Sequence, residues 1–385
     1  MKRSTFGLGS LSVAALAAAG TRGAWADTPV VNIGFTGPLS GGAAQYGTDV
    51  QRGIQLGIDR LNTENKKQGF ALVSLDDGYR PNEAAINAKR LVQQSATPVI
   101  FCPHSGGILA LLGFNEKQAP KFLVAAYSSE PKILQQSDGL VFMIPPRYDS
   151  YFKPWTSELM KRFGKNLGLL PTTTAYGNAW KSGFSDAWKA AGGNVLGDDA
   201  VDYNTTADFS GAVSKALSEK PDVLLVGGPS QPTALVMKAA RDQGFKGGFI
   251  MMDQAKFEQV SKVLPMAQLG GTVGVEPIDR YDGPGIKTFM ASYAAKFGND
   301  REPNSEVAFN YMAMLVIGRA MALAKTTSDP AAIRAKLAAA VGSLPKDDQP
   351  LALTGLTAAG HLQVRLATEL VEHGKFTQVT IPSLT

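Results

Sequence analysis

Ser105 lies in CPHSGG, next to His104 and ahead of Gly106, so a nucleophilic serine with an adjacent base is the first chemistry to weigh. A nucleophile elbow needs glycine two residues before the serine, and Pro103 stands there instead. Ser129 and Lys132 form S-x-x-K in SSEPK, but KTF at 287–289 lacks the glycine of K-T-G, and no S-D-N occurs. Cys102, inside VIFCP, reads as a small core side chain. Asp76 and Asp77 end a strand, where neighbours point to opposite faces; that geometry suits capping of the turn and of the helix near Pro81 better than an acid/base dyad. His104, His361 and His373 are too far apart for a zinc-type ligand set, so no metal is expected. No constellation in the chain supports catalysis, and the sequence reads as a non-enzyme without a cofactor.

The stretch VNIGFTGPLSGGAAQYGTDVQRG raises a separate possibility, because a strand, a glycine-rich loop and a helix N-terminus together can hold an anion. The glycines at 34, 37, 41, 42 and 47 fit neither phosphate-binding spacing, and no Lys or Arg lies between Val30 and Arg52. The loop is therefore expected to be a tight turn from the first strand into the helix.

The elements that must position these residues alternate. VVNIGFTG, FALVSLDD, PVIFCPH and KFLVAAYS each precede ten to twenty residues with apolar positions three or four apart, which predicts α/β units on a parallel sheet. Val50, Ile54, Ile58 and Leu61 share one helical face. A second α/β series starts near Pro145, with Tyr151, Trp155 and Leu159 in step and strands in NLGLL, DVLLVGG and GGFIMMD. Two apolar helices follow GGTVGVEP, and the chain closes in a hairpin turning at His373-Gly374.

The opening residues have the form of a secretory signal: Lys2 and Arg3, a short apolar run, then small residues up to an expected cleavage after Ala26. Removing 1–26 leaves 35 basic against 33 acidic residues, so the mature chain is near neutral, and no basic run points to nucleic acid or an anionic membrane. A single cysteine allows no internal disulfide, and the length suggests two closely joined domains.

Taken in order, GPLSGGAAQYG with GIDRLN, LDDGYRPNEAAINAKRLV, VIFCPHSGG, LVAAYSSEP, AYGNAWKSGFSDAWKAAGGNV, DFSGAVSKAL, PDVLLVGG and MKAARDQGFKGGFI resemble the type I periplasmic solute-binding proteins of ABC importers, specifically the branched-chain amino-acid (Leu/Ile/Val) binding group. The resemblance covers nearly all of the mature chain. It implies two Rossmann-like α/β lobes joined by three crossovers near Pro145, Glu276 and Leu356, with the ligand cleft between them. The first lobe is then 27–145 plus 277–355 and the second 146–276 plus 356–385. It further implies a periplasmic monomer that serves a membrane permease and ATPase.

Carried over residue by residue, the resemblance implies that Ser105 and Ser129, with Tyr127 two residues before the latter, hold a ligand carboxylate in the first lobe. His104, Gly106 and Ser128 stand in the same two segments. From the second lobe it implies Tyr176, before Gly177, and Asp253 as acceptor for a ligand ammonium; the helix N-cap is the alternative role for Asp253. The chain departs from the pattern at Pro103 and His104, where a small apolar pair is usual, and at Pro229, Ser230 and Gln231, where an aromatic is usual. Tyr46, Tyr127, Tyr148 and Tyr176 are expected to form an aromatic-lined slot, which widens the ligand class from amino acids to aromatic acids and amides. A sensory receptor subunit would share the fold and cleft; a hydrolase ranks third.

Overall fold

A computed structural model describes residues 29–65, 67–365 and 367–379; the expected leader and its cleavage site lie outside the described residues. Five parallel strands, β1 (Val30–Gly37), β2 (Gly69–Asp76), β3 (Val99–Cys102), β4 (Leu123–Ala126) and β5 (Val141–Met143), form one sheet in the order β2-β1-β3-β4-β5. Helices cover both faces, so β3, β4 and β5 are buried throughout and need the continuous apolar runs the sequence gives them. The strand order reverses between β1 and β3. Loops leaving their carboxyl ends diverge there and open a crevice.

The helix Ala44–Glu64 turns Val50, Ile54, Ile58 and Leu61 into the first-lobe core. It lies so close to the helix Ser305–Ala324 that a Cβ on Gly53 would stand 2.4 Å from the Val307 carbonyl oxygen, and one on Gly57 2.7 Å from Met314 Cβ. Ser305–Ala324 is long and apolar enough to cross a membrane, yet 78% of its apolar window is buried inside this lobe, which marks it as a core helix.

The second sheet holds β6 (Asn166–Pro171), β7 (Asn194–Asp198), β8 (Val223–Gly227), β9 (Gly248–Met251) and β10 (Thr272–Val275), extended at one edge by β13 (Thr368–Glu372) and β14 (Lys375–Val379). Its order, β14-β13-β10-β9-β8-β6-β7, reverses between β6 and β8 and places a second crevice opposite the first. The β13–β14 pair is antiparallel and closes on a two-residue turn with His373 at φ 48° and Gly374 at φ 74°, the hairpin turn whose twist matches its strands.

The chain crosses between the lobes after β5, after β10, and between Val364 and Thr368. The third crossing lies beyond the expected Leu356. The hairpin of β11 (Leu353–Leu356) and β12 (Leu362–Val364) pairs with itself, buries Leu362 in the first-lobe core and bridges His361 to Met143, so residues 356–364 stay with the first lobe.

Candidate functional site

Each lobe presents a tyrosine from the same local device. In Tyr46-Gly47 and Tyr176-Gly177 the glycine sits in the first turn of a helix, pressed on the strand-to-helix loop below it. A Cβ would come within 1.7 Å of the Pro38 carbonyl oxygen at Gly47 and 1.8 Å of the Thr172 carbonyl oxygen at Gly177. This close seating points both tyrosines into the interlobe space. The Tyr46 hydroxyl donates to the Pro103 carbonyl, and the Tyr176 hydroxyl donates to the Asp253 carboxylate.

The first-lobe wall follows from the end of β3. His104 caps the helix Ser105–Glu116: its Nδ1 accepts the Gly107 N–H at 3.0 Å, which leaves Nε2 to donate to Asp77 Oδ2 at 3.0 Å. Asp77 also accepts the Thr36 hydroxyl at 3.0 Å and the Tyr79 N–H at 2.9 Å, and the Tyr79 ring stacks on His104 at 4.8 Å. Asp77, Cys102 and His104 are close enough together to suggest a metal trio. Both ring nitrogens and the Asp77 oxygens are already engaged within the fold, so these residues fit a positioning network better than a ligand set. Asp76 accepts N–H groups of Leu39 and Gly78 at 2.8 and 2.9 Å, which stabilises the turn; the helix Pro81–Ser95 has no side-chain cap. Ser105 Oγ lies 2.8 Å from Ser128 Oγ, and Ser129 is buried beside them.

On the second-lobe wall Asp253 follows β9. The helix Phe257–Val260 starts after Lys256 and has no side-chain cap, so Asp253 is not an N-cap. Burial pushes its carboxyl up, against the Lys256 charge and the Tyr176 and Ser129 hydroxyls, which hold it down. Lys256 Nζ donates to the Asp253 carbonyl and pairs across the lobes with Glu306 Oε1 at 3.1 Å. Burial pushes Glu306 up to about 7, with Lys256 opposing and Asp49 reinforcing the shift.

These walls line a cavity whose empty space, its open mouth included, is about 320 Å³. Tyr46, His104, Ser105, Tyr127, Ser128, Ser129, Tyr176 and Asp253 all line it. Through Tyr127, Pro145, Asp253 and Lys256 it continues into an outer chamber of about 590 Å³ beside the crossovers. Three expectations differ. Ser230 and Gln231 line a separate crevice of about 220 Å³ instead, reached past Tyr46 and Glu306, where Ser230 Oγ accepts the Lys256 N–H at 3.0 Å. Gly106 does not line the cavity; a Cβ there would meet Pro81 Cγ of its own lobe at 2.8 Å and Ala175 Cβ of the other lobe at 3.8 Å. Tyr148 leaves the slot for the second-lobe core, stacking on Phe152 at 5.3 Å and donating to Glu130 at 3.1 Å, and Tyr79 takes its place in the wall.

Tyr79, Gln254, Lys256 and Glu306 were not marked by the sequence. A glutamate in the first turn of a helix has an ordinary explanation in the helix dipole, and nothing local tells that Glu306 faces a cavity.

The lobes are closed on one another. Asn204 of the second lobe accepts the Ala43 N–H on Oδ1 at 3.0 Å and the Gly42 N–H on its carbonyl at 3.0 Å, and donates to the Gly78 carbonyl at 3.3 Å. Gly41 lies at φ 72°, and a Cβ on Gly42 would stand 2.6 Å from the Tyr203 carbonyl oxygen, so the glycines of this loop admit the opposite lobe rather than an anion. Gln259 adds a bond to Asp49 at 3.0 Å. Asn204→Ala removes two side-chain bonds found only in the closed form, and calorimetric titration should show solute affinity about tenfold weaker although Asn204 does not line the cavity.

Two α/β lobes, joined by three crossovers and closed over a polar cavity at their facing switch points, define a type I solute-binding architecture. The chain belongs to the periplasmic binding protein family, whose model matches residues 30–367. Leu/Ile/Val-binding protein homolog 8 of Brucella abortus is 24% identical over 311 residues, 76% of each chain. Among solved structures, the branched-chain amino acid transporter substrate binding protein LivJ from Streptococcus pneumoniae, in complex with isoleucine, is similar with TM-score 0.74 at 20% identity, over 90% of this chain and 97% of that one. A periplasmic binding protein from Burkholderia mallei gives TM-score 0.77 at 19% identity, over 91% and 94%. These solved structures establish the fold. Family membership makes this a non-catalytic substrate-binding protein and implies a periplasmic location and delivery to the permease and ATPase of an ABC importer.

Proposed function

We propose that this protein captures a small α-amino acid between its lobes and presents it to an ABC importer. The observation that carries the reading is Asp253. Its carboxylate borders the cavity while the one nearby lysine is engaged by Glu306 and by the Asp253 carbonyl. A carboxylate enclosed in this way favours a ligand that brings its own cation, as an ammonium does. Ser105, Ser128 and Ser129 stand in the same cavity at or near the start of the helix Ser105–Glu116. Hydroxyls and free N–H groups at a helix N-terminus suit a carboxylate, at about 1.5–3 kcal/mol per charged hydrogen bond.

A thermal-shift panel of amino acids, aromatic acids and small amides tests this. An α-amino acid should raise the melting temperature most, because binding stabilises only the folded state. Strongest stabilisation by an acid without an amine would contradict the reading. So would an esterase or amidase turnover with no stabilising solute.

A further inference from the structure

We infer that the solute carries, beyond its α-groups, a second hydrogen-bond donor on its side chain, and that Glu306 receives it. This rests on the amino-acid reading above and names the class within it. Glu306 is 1% exposed and lines the cavity, Oε1 lies 3.1 Å from Lys256 Nζ, and beyond that ion pair neither carboxylate oxygen has a hydrogen-bond partner among the described residues. An orphaned buried carboxylate oxygen is costly, and one facing a ligand cavity is satisfied when the ligand supplies an N–H or O–H.

The rest of the wall agrees. Among the described residues lining the inner cavity there is no Leu, Ile, Val, Met or Phe; its apolar surface comes from tyrosine rings and from Pro103 and Pro145. An aliphatic side chain placed there would cover the Lys256–Glu306 pair, remove it from water and leave Oε2 unpaired, a double penalty. An amide, hydroxyl or amine placed there would complete the pair. Since the two members come from opposite lobes, a donor that satisfies Glu306 also strengthens the closed form.

Calorimetric titration with shape-matched pairs decides the matter: L-asparagine against L-leucine, and L-glutamine against L-methionine. At least one donor-bearing member should bind about tenfold or more tighter than its apolar match, as expected where a buried polar group would otherwise go unpaired. In a Lys256→Met/Glu306→Met double variant that preference should shrink below about threefold. If the variant does not fold, the wild-type pairs still decide. Leucine and methionine each binding as tightly as its partner overturns this inference and leaves the amino-acid reading intact. Failure of all four amino acids, together with binding of isobutyramide and not of its isostere 3-methyl-2-butanone, keeps the Glu306 donor site and removes the amino-acid reading. Silence from every probe removes both.

Discussion

Asp253→Asn is expected to weaken amino-acid binding about a hundredfold, equivalent to about 3 kcal/mol, while leaving the protein folded. The substitution preserves shape, and its Oδ1 can still accept the Tyr176 hydroxyl. Only the charge is lost. Glu306, the other carboxylate among the described residues lining the cavity, already has its charge met by Lys256, which leaves Asp253 to meet an ammonium. Because burial raises the carboxyl, removing its charge relieves a desolvation cost, so the melting temperature of the ligand-free variant should stay level or rise. A fall in stability matching the fall in affinity would assign Asp253 a structural role instead.

Gly47→Ala and Gly177→Ala carry the second large effect. At 1.7 and 1.8 Å from backbone carbonyl oxygens, neither Cβ fits without moving the helix start against its own loop. Each should destabilise its lobe by about 3 kcal/mol, seen as a melting temperature lower by about 5 °C or more. The displaced turn also carries Tyr46 or Tyr176 out of the cavity wall, so affinity should fall with stability. Gly113→Ala is the control, since it stands inside the helix Ser105–Glu116 with open space around its Cβ and should be neutral or slightly stabilising. A melting temperature unchanged in both Gly47→Ala and Gly177→Ala would contradict the seating argument.

Periodicity made the two-lobe α/β architecture legible because each strand and helix needs one buried face or two, and that need is written locally. Val50, Ile54 and Ile58 are buried as their spacing predicts, and the hairpin turns at His373-Gly374 as expected. Ser105 and Asp253 came from the family resemblance rather than from periodicity, and the structure places both beside the cavity. What stayed hidden depends on the opposite lobe. Asn204 reaches Ala43 across 161 residues, and Lys256 meets Glu306 only when the lobes close; neither has a local signature. Tyr148 was misplaced because it stands just before the helix Asp149–Phe163, where one backbone turn decides between cavity and core. Ser230 and Gln231 went to the crevice for a similar reason: Pro229 starts their helix beside the cavity rather than over it.

A double-mutant cycle by calorimetry tests whether Asp253 holds a ligand ammonium. The best-binding amino acid and the same acid without its amine are titrated into the wild-type protein and into Asp253→Asn. Removing the amine should cost about a hundredfold in the wild type and less than about threefold in the variant. An equal loss in both proteins would show that the ammonium and Asp253 do not interact, and would contradict that role.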